Sequence, residues 1–496
     1  MIKKIFKSAL ACSVIALGVL SSCYEDKGNY EYIELPEFRV DTVGVPLSYV
    51  IESAEVVNIP TNIIYSGNKE DLQCTWSLYG QSQMQGISVK VDTIAHTLDL
   101  NAPIIAEPGS YTLEFCALDP HSGLRATQLY GITIEGSVRS GLFVVYDHKN
   151  GYVDADIVRT TALIYSGNDS VDYNMFSRSN PDYKLKGTAV GGDYTSAMGH
   201  YHFYLFSSED GVRLNADNMQ IQEYFDDLFV TTPGASSISK YIKVGSWECL
   251  FLNNTMQLNL IYTNSAPMFA IPRAGLEDTQ LEHAINVYGG AILAYDNKNL
   301  RYMWGGMWDG TMIPAKNSTT TKMDMSNVGK KALYMNFGYA YNWVLYTVLA
   351  DVDSDKRYIA ATNIMVQTPA DYNVLNYIDI SNADNIAKAN LFVAGKQGFY
   401  MFYAVDNKLY KLTCKMQESQ DYSSELVMEY PAGTEITAMK GYNYGNTLVL
   451  GVYDPAVKES KTYIYNADET TGVLTEPAVN GFITYGKIKD FGLKQW

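Results

Sequence analysis

The chain contains 496 residues and carries a formal net charge of −17 at pH 7. This acidic balance excludes nucleic acid as a partner, because binding to phosphates requires a basic surface. With 40 Tyr, 38 Gly and only 18% charged residues, the composition is typical of a globular all-β protein and not of a disordered chain.

The first 22 residues (1–22) have the composition of an export signal. Three lysines precede an apolar stretch at 9–20, which is too short to span a bilayer as a permanent helix. Two serines followed by Cys23 match a bacterial lipobox, in which the signal is cleaved before a cysteine that becomes lipidated. Several acyl chains would anchor the mature protein firmly in a membrane. A plain secretory signal that happens to be followed by a cysteine is the alternative.

The next two segments are predicted to be a tether at 23–36 and a β-sandwich domain at 37–136. The tether is polar and acidic, and the domain has short alternating strands at 73–78, 108–115 and 128–134. A domain of about 100 residues, with a Trp on a central strand and a Tyr early in a late strand, fits an Ig-like sandwich. The combination resembles the PKD branch of that architecture.

Four cysteines remain after the signal cysteine is removed and Cys23 is modified: Cys74, Cys116, Cys249 and Cys414. The alternation of apolar residues places Cys74 on the inner face of its strand and Cys116 on the outer face. A disulfide between these two would therefore require a β-bulge. We expect four free thiols, mostly buried as small apolar side chains.

The last part of the chain, 137–496, contains seven apolar hairpin strands followed by turns rich in Asp, Asn or Gly. They lie at 142–146, 203–206, 249–252, 292–295, 344–349, 399–405 and 448–453. Hairpins spaced by roughly 40 to 60 residues are typical of a β-propeller. The sequence therefore predicts a propeller of seven blades, with a closing strand near 487–494 that pairs with the first blade. A run of unrelated hairpins in a large sandwich is the alternative.

Three segments carry a resemblance to a known family. The decapeptide 23–32 (CYEDKGNYEY) resembles the start of the PKD-like family lipoproteins of Bacteroidota, and 141–145 and 486–494 are similar to later parts of that family. The resemblance implies an outer-membrane surface lipoprotein that accompanies a TonB-dependent transporter and its lid-like binding lipoprotein. Such systems import glycans or peptides. The acidic pair after Cys23 looks like a surface-export signal, and the family defines no catalytic residues to transfer.

Motifs for catalysis, nucleotides or metals fail in this sequence. The segment 481–487 has P-loop spacing, but Ile488 stands where a Ser or Thr must bind Mg²⁺. The acidic turn at 351–355 lacks the Gly and Glu of an EF-hand loop. His200 and His202 share a strand face without a carboxylate or cysteine at companion spacing. We therefore predict no catalytic residue, no cofactor and no metal.

The best candidate for ligand recognition is aromatic. A Gly-rich segment at 301–310 and a second segment at 337–343 carry rings that can stack on sugars or on peptide side chains. The candidate ligand-binding residues are Trp304, Trp308, Tyr339, Tyr341 and Trp343. Aromatic packing between blades is the alternative.

These observations lead to one functional prediction and two alternatives. The prediction is a non-catalytic surface lipoprotein that captures a glycan or peptide for a TonB-dependent transporter. One alternative is a propeller hydrolase or lyase for polysaccharide or peptide that uses carboxylates around the channel. The other is a subunit that only braces the transporter and binds no ligand.

Overall fold

The computed structural model describes most of the chain after the predicted tether. The described residues are 37–52, 55–80, 91–106, 109–135, 138, 140–163, 169–197, 199–234, 236–244, 247–259, 268–287, 290–306, 309–338, 344–365, 372–414, 420–442 and 446–494. Cys23 lies outside them. Among these residues, no helix is both long enough and apolar enough to cross a membrane. The chain divides into two compact units, Met1–Ile134 and Glu135–Trp496.

The first unit is the predicted Ig/PKD-like sandwich. Its strands are β1 (Phe38–Asp41), β2 (Ser48–Glu52), β3 (Val56–Ile59), β4 (Asn62–Tyr65), β5 (Gln73–Gly80), β6 (Val91–Ala95), β7 (Leu100–Pro103), β8 (Gly109–Leu118) and β9 (Arg125–Glu135). A five-stranded sheet has the order β2-β9-β8-β5-β6, and β1-β4 and β3-β7 form two-stranded sheets. The three strands predicted from the sequence correspond to β5, β8 and β9. A 3-10 turn at Lys69–Asp71 precedes β5.

Trp76 is the centre of the sandwich core. Its side chain is fully buried, and its ring centroid lies 4.8 Å from that of Phe115 and 5.7 Å from that of Tyr130. The indole N–H donates to the carbonyl of Thr97 at 3.1 Å, so the one polar atom of the ring is satisfied. The Trp on a central strand therefore has the role that the sequence predicted.

The cysteines occupy the faces that the alternation predicted. Cys74 packs against the core of the sandwich, whereas Cys116 lies on the same face of β8 as Glu114. The register pairs Cys116 with Thr75, so the two thiols do not face each other. Cys249 and Cys414 are buried, and all four thiols are free in the structure.

The second unit is a seven-bladed β-propeller. Its first strands are β10 (Gly141–His148), β11 (Val153–Arg159) and β12 (Ser170–Asp172) in blade 1, and β13 (Ala189–Ala197), β14 (His200–Ser207), β15 (Gly211–Asn215) and β16 (Ile221–Tyr224) in blade 2. Blade 3 contains β17 (Ile238–Val244), β18 (Trp247–Leu252) and β19 (Thr255–Asn259), and blade 4 contains β20 (Leu281–Val287), β21 (Ala291–Asp296), β22 (Arg301–Gly305) and β23 (Ile313–Pro314). A short helix, α1 (Met175–Ser179), and a 3-10 helix, Phe225–Leu228, accompany blades 1 and 2.

The remaining blades complete the ring. Blade 5 contains β24 (Lys331–Phe337), β25 (Val344–Ala350), β26 (Arg357–Asn363) and β27 (Asn373–Asp379); blade 6 contains β28 (Leu391–Ala394), β29 (Tyr400–Val405), β30 (Lys408–Cys414) and β31 (Tyr422–Glu429). Blade 7 contains β32 (Glu435–Tyr442), β33 (Thr447–Asp454), β34 (Glu459–Ala467) and β35 (Leu474–Thr484), and the last strand is β36 (Gly486–Lys494). A 3-10 helix, Ile386–Lys388, precedes blade 6.

The last strand closes the ring. The sheet of blade 1 has the order β12-β11-β10-β36, so the end of the chain supplies its innermost strand. Antiparallel pairing runs from Gly141 opposite Lys494 to His148 opposite Gly486. The closure near 487–494 that the sequence predicted is therefore confirmed.

The seven predicted hairpin strands are all second strands of their sheets, namely β10, β14, β18, β21, β25, β29 and β33. Each has a strand on both sides and a blade on both faces, so nearly all its residues are buried. This burial explains why these strands are continuous apolar runs. In three of the predicted turns, Gly151, Asn253, Asn254 and Asp406 adopt the positive φ that such residues tolerate. In the turns after β21 and β33, the positive φ falls on Leu300 and Lys458 instead.

Candidate functional site

The central channel of the propeller forms a cavity. It has a volume of about 900 Å³ and is lined by β13, β17, β20, β24, β28, β32 and β36. These are the innermost strands of the seven blades, each paired with a neighbour on one side only. Their other edges face the channel, and neighbouring blades bind some of their backbone groups: the N–H of Ala394 donates to the hydroxyl of Tyr334, and Lys243 donates to the carbonyl of Tyr194.

A β-bulge recurs in six of these seven strands, close to the same position. The register of β13, β17, β20, β24, β32 and β36 against the second strand skips one residue each time. In four of these strands, the residue after the skipped one also lines the cavity. It is Lys240 in β17, His283 in β20, Tyr334 in β24 and Asp490 in β36. A β-bulge changes the direction of the side chains that follow it. Because the bulge recurs at a similar position in these strands, the side chains after it point into the channel at a similar depth.

The channel wall is cationic although the protein is acidic. Five lysines and two aspartates line the cavity, which gives a net charge of three positive in a chain whose net charge is −17: Lys240, Lys243, Lys396, Lys440, Lys489, Asp193 and Asp490. Lys489 lies 3.5 Å from Asp147, and Lys243 donates to a backbone carbonyl. The remaining three lysines have the environments most relevant to a ligand.

Lys440 forms a charge cluster with two carboxylates. Its Nζ lies 3.4 Å from Oδ1 of Asp490 and 3.7 Å from Oδ2 of Asp193, and it donates to the carbonyl of Phe491. Burial alone would lower the pKa of Lys440, but Asp490 and its neighbours raise it above the usual value. Burial raises the pKa of Asp490, and Lys440 opposes that effect. The ammonium thus holds blades 7, 1 and 2 together at the channel wall.

We expect Lys440→Met to destabilise the propeller by roughly 1–3 kcal/mol, because two partly buried carboxylates lose their shared counterion. The double variant Lys440→Met/Asp490→Asn should recover part of this loss by removing the repulsion between the carboxylates. Urea unfolding of the single and double variants measures both effects. A double variant less stable than Lys440→Met would contradict the charge-cluster interpretation.

Lys240 and His283 form a second pair across blades 3 and 4. Nζ of Lys240 lies 3.5 Å from Nδ1 of His283. Burial lowers the pKa of Lys240, and burial together with the nearby ammonium lowers the pKa of His283 well below its usual value. His283 is therefore neutral at pH 7, and it provides an acceptor and no counterion for Lys240.

Lys396 follows β28 in blade 6 and also borders the channel. Burial lowers its pKa, as it does for Lys240. Within the described ranges, neither lysine has a carboxylate within ion-pair distance, although Glu282 and Asp490 are near enough to oppose the lowering of the Lys240 pKa by burial. A partly buried ammonium without a direct ion-pair partner is costly, so both positions favour an anion.

Three asparagines line the channel between these lysines. Asn286, Asn336 and Asn390 belong to blades 4, 5 and 6. Oδ1 of Asn336 accepts from the backbone N–H of Phe337 at 2.8 Å. In the described part of the chain, the amides of Asn286 and Asn390 have no hydrogen-bond partner. Each amide can both donate and accept, as a hydroxyl group can.

The predicted aromatic site is only partly described. Trp304 lies on β22, where its indole N–H donates to the hydroxyl of Tyr372 at 3.1 Å and its ring packs against the core between blades 4 and 5. This residue does not line the channel. The other four candidates, Trp308, Tyr339, Tyr341 and Trp343, lie outside the described residues. A ligand-binding role for these aromatic residues stays a prediction.

His202, one of the two histidines of β14, has a structural environment. His202 is buried, and its Nε2 lies 3.4 Å from Oε1 of Glu248 on blade 3. Glu248 also accepts from Asn259 at 2.9 Å and from Thr195. Among the residues that the structure describes, no group of His, Cys, Asp and Glu side chains has the arrangement of a metal site.

The sequence interpretation missed the channel lysines. Lys240, Lys396 and Lys440 come from three blades, and none belongs to a local motif. An alignment of the seven hairpins would have placed Lys240 and His283 at one repeat position, because both follow the recurring bulge.

One family model matches part of the chain. The model of the PKD-like family matches residues 23–183, which include the sandwich unit and the first three strands of the propeller. No curated protein sequence matches the chain.

Several solved structures are similar in fold. A quinonprotein alcohol dehydrogenase-like protein from Bacteroides thetaiotaomicron is 13% identical, with 92% of this chain and 99% of that chain covered and a TM-score of 0.43. The Dos1 propeller is 9% identical, with coverage of 69% and 86% and a TM-score of 0.42. Virginiamycin B lyase from Staphylococcus aureus is 12% identical, with coverage of 58% and 83% and a TM-score of 0.38. At such low similarity, the propeller assignment rests on the strand order and closure described above.

Proposed function

We propose that the protein is a lipid-anchored outer-membrane surface protein that binds a small polar ligand in the propeller channel. In this proposal it acts without catalysis, as an accessory that captures a glycan or peptide for a TonB-dependent transporter and its lid-like binding lipoprotein. The observation that carries the proposal is the cavity of about 900 Å³, into which polar side chains from several blades converge. Cavities of this size with a few placed polar groups are typical of ligand sites.

Binding in the channel is tested by obstruction. A library of glycans and peptides is screened against the purified full chain, and any ligand found is titrated against Asn336→Trp, which places an indole at the channel wall. We expect this variant to lose binding, because the ring occupies the ligand volume. Lys322→Trp, at an exposed position outside the channel lining, is the matched control. Unchanged affinity of the Asn336→Trp variant would place the ligand elsewhere.

Anchoring is tested at Cys23. We expect Cys23→Ala to release the protein from the membrane fraction into the soluble fraction, because acylation of that thiol supplies the membrane affinity. Cell fractionation and surface labelling of the wild type and the variant measure this. Cys116→Ala, which removes a thiol of the sandwich, is the control. A Cys23→Ala protein that stays membrane-bound and surface-exposed would disprove the lipid anchor.

Partners are tested by affinity purification of the tagged protein from native outer membranes in mild detergent. The proposal predicts a transporter and a lid-like lipoprotein in stoichiometric amounts. Recovery of the protein alone would contradict membership of an uptake complex. Ligand binding in the channel would still be decided by the titration of the Asn336→Trp variant.

A second candidate function is a hydrolase or lyase for polysaccharide or peptide. The observation that favours it is Lys240, whose pKa is lowered by burial and which lies in the channel beside His283. An amine of this kind can act as a general base. Incubation of the purified protein with candidate polymers, followed by mass spectrometry, would detect products. Turnover that is lost in Lys240→Met would favour the enzyme.

A further inference from the structure

We propose that the channel ligand is an acidic oligosaccharide, whose carboxylates are bound by Lys240 and Lys396 and whose hydroxyls are bound by the asparagines between them. This inference rests on the proposed function, because it names the ligand class of the same channel. It excludes neutral glycans as the preferred ligand.

The first step is the charge of the two lysines. Both line the cavity, and among the described residues neither has a carboxylate within ion-pair distance. The two aspartates of the wall are already paired with Lys440. Glu282 and Asp490 act on Lys240 only from beyond ion-pair distance. An incoming anion would therefore be the direct ion-pair partner of Lys240 and Lys396, whereas a neutral ligand would leave both ammonium groups partly desolvated without one.

The second step is the position of the lysines in the ring. Lys240 belongs to blade 3 and Lys396 to blade 6, so two blades separate them along the channel wall. A single carboxylate does not extend across that arc. A ligand with at least two acidic units, joined by neutral atoms, matches the arrangement.

The third step is the chemistry of the wall between the two lysines. Asn286, Asn336 and Asn390 present amides from blades 4, 5 and 6. This alternation of donors and acceptors suits the hydroxyls of a sugar ring, since each hydroxyl both donates and accepts. A peptide that paired as an extended strand would use the edge of one blade only. The channel therefore favours the saccharide over an acidic peptide.

The test compares charged and neutral forms of one ligand. Trigalacturonate and its methyl ester, which has the same ring but no carboxylate charge, are titrated calorimetrically into the full chain carrying Cys23→Ala. We expect the acid to bind at least tenfold more tightly than the ester, with an affinity that falls as NaCl rises. Lys240→Met and Lys396→Met should each weaken binding of the acid at least tenfold and leave binding of the ester within twofold.

The controls separate this inference from the proposed function. Lys322→Met removes an exposed lysine outside the channel lining and should leave both affinities unchanged. Equal affinities for acid and ester would overturn the anionic class while leaving channel binding intact. A tetraglutamate peptide that binds more tightly than the acid, through the same lysines, would overturn the saccharide. Absence of binding by all three probes at millimolar concentration would overturn this inference, and the library screen with Asn336→Trp would still decide channel binding.

Discussion

Removal of residues 486–496 is expected to abolish cooperative folding of the propeller unit. The deletion takes away β36, which pairs with β10 over eight registered residues and provides the innermost strand of blade 1. Ile488 and Phe491 are fully buried between blades 1 and 7, and each contributes about 1.5–3 kcal/mol through burial alone. The deletion also removes Lys494, which is fully buried and donates to the carbonyls of Val138 and Ala216.

These losses are large because a propeller is stabilised by closure. Without β36, the edge of β10 and the facing sides of blades 1 and 7 are exposed to water. Domains are stable by only about 5–15 kcal/mol, so a loss of this size unfolds the ring or leaves it molten. Circular dichroism melting and limited proteolysis of the truncated chain measure the effect.

Two matched variants make this prediction specific to the strand. Deletion of 495–496 alone should leave the melting transition unchanged. Phe491→Ala should keep the fold but cost about 3–5 kcal/mol, since it leaves a cavity at the contact of blades 1 and 7. A chain lacking 486–496 that melts like the wild type would show that closure by β36 is not required.

The blades could be predicted because one strand in each is buried along almost its whole length. The second strands are covered on every side, so their sequences are uninterrupted apolar runs such as 249–252, with turn residues directly behind them. The innermost strands gave no such signal. Their burial is mixed, and a β-bulge near the start of most of them breaks the alternation of period two on which strand prediction depends.

The channel could not be predicted for a related reason. Lys240 and Lys396 are brought into one cavity by closure of the ring, and nothing in the sequence around either residue marks it. The aromatic segment was conspicuous in the sequence, yet Trp304 uses its indole N–H to contact Tyr372 of the neighbouring blade. Trp304 therefore takes part in the packing between blades 4 and 5, whereas the cationic wall is assembled by closure of the ring.

A buried carboxyl in blade 1 leads to the second large prediction. Asp154 and Asp156 alternate with apolar residues on β11 as if they faced solvent, but both side chains are fully buried. Oδ1 of Asp156 accepts from the hydroxyl of Tyr146 at 2.9 Å and from the backbone N–H of Asn174 at 2.8 Å. Burial outweighs these hydrogen bonds and raises the pKa of Asp156 to about 7.

This pKa makes the propeller less stable as the pH rises. An unfolded Asp has a pKa of about 3.9, so between about pH 4 and pH 7 the folded state binds one proton more than the unfolded state. The contribution of Asp156 to the free energy of unfolding is therefore largest below about pH 4. It falls between about pH 4 and pH 7 and is constant above pH 7. The total loss is about 4 kcal/mol.

Asp156→Asn should remove most of this dependence. The amide keeps an oxygen for Tyr146 and Asn174 but has no proton to lose, so the variant should match the wild type near pH 4 and exceed it by several kcal/mol at pH 8. Asp154 remains and leaves a smaller slope, because burial raises its pKa as well. Urea unfolding between pH 4 and pH 8 measures both proteins, with Asp353→Asn in an exposed turn as the control. Parallel pH profiles for wild type and Asp156→Asn would mean that Asp156 is ionised in the folded protein, with a counterion that the contacts of β11 do not provide.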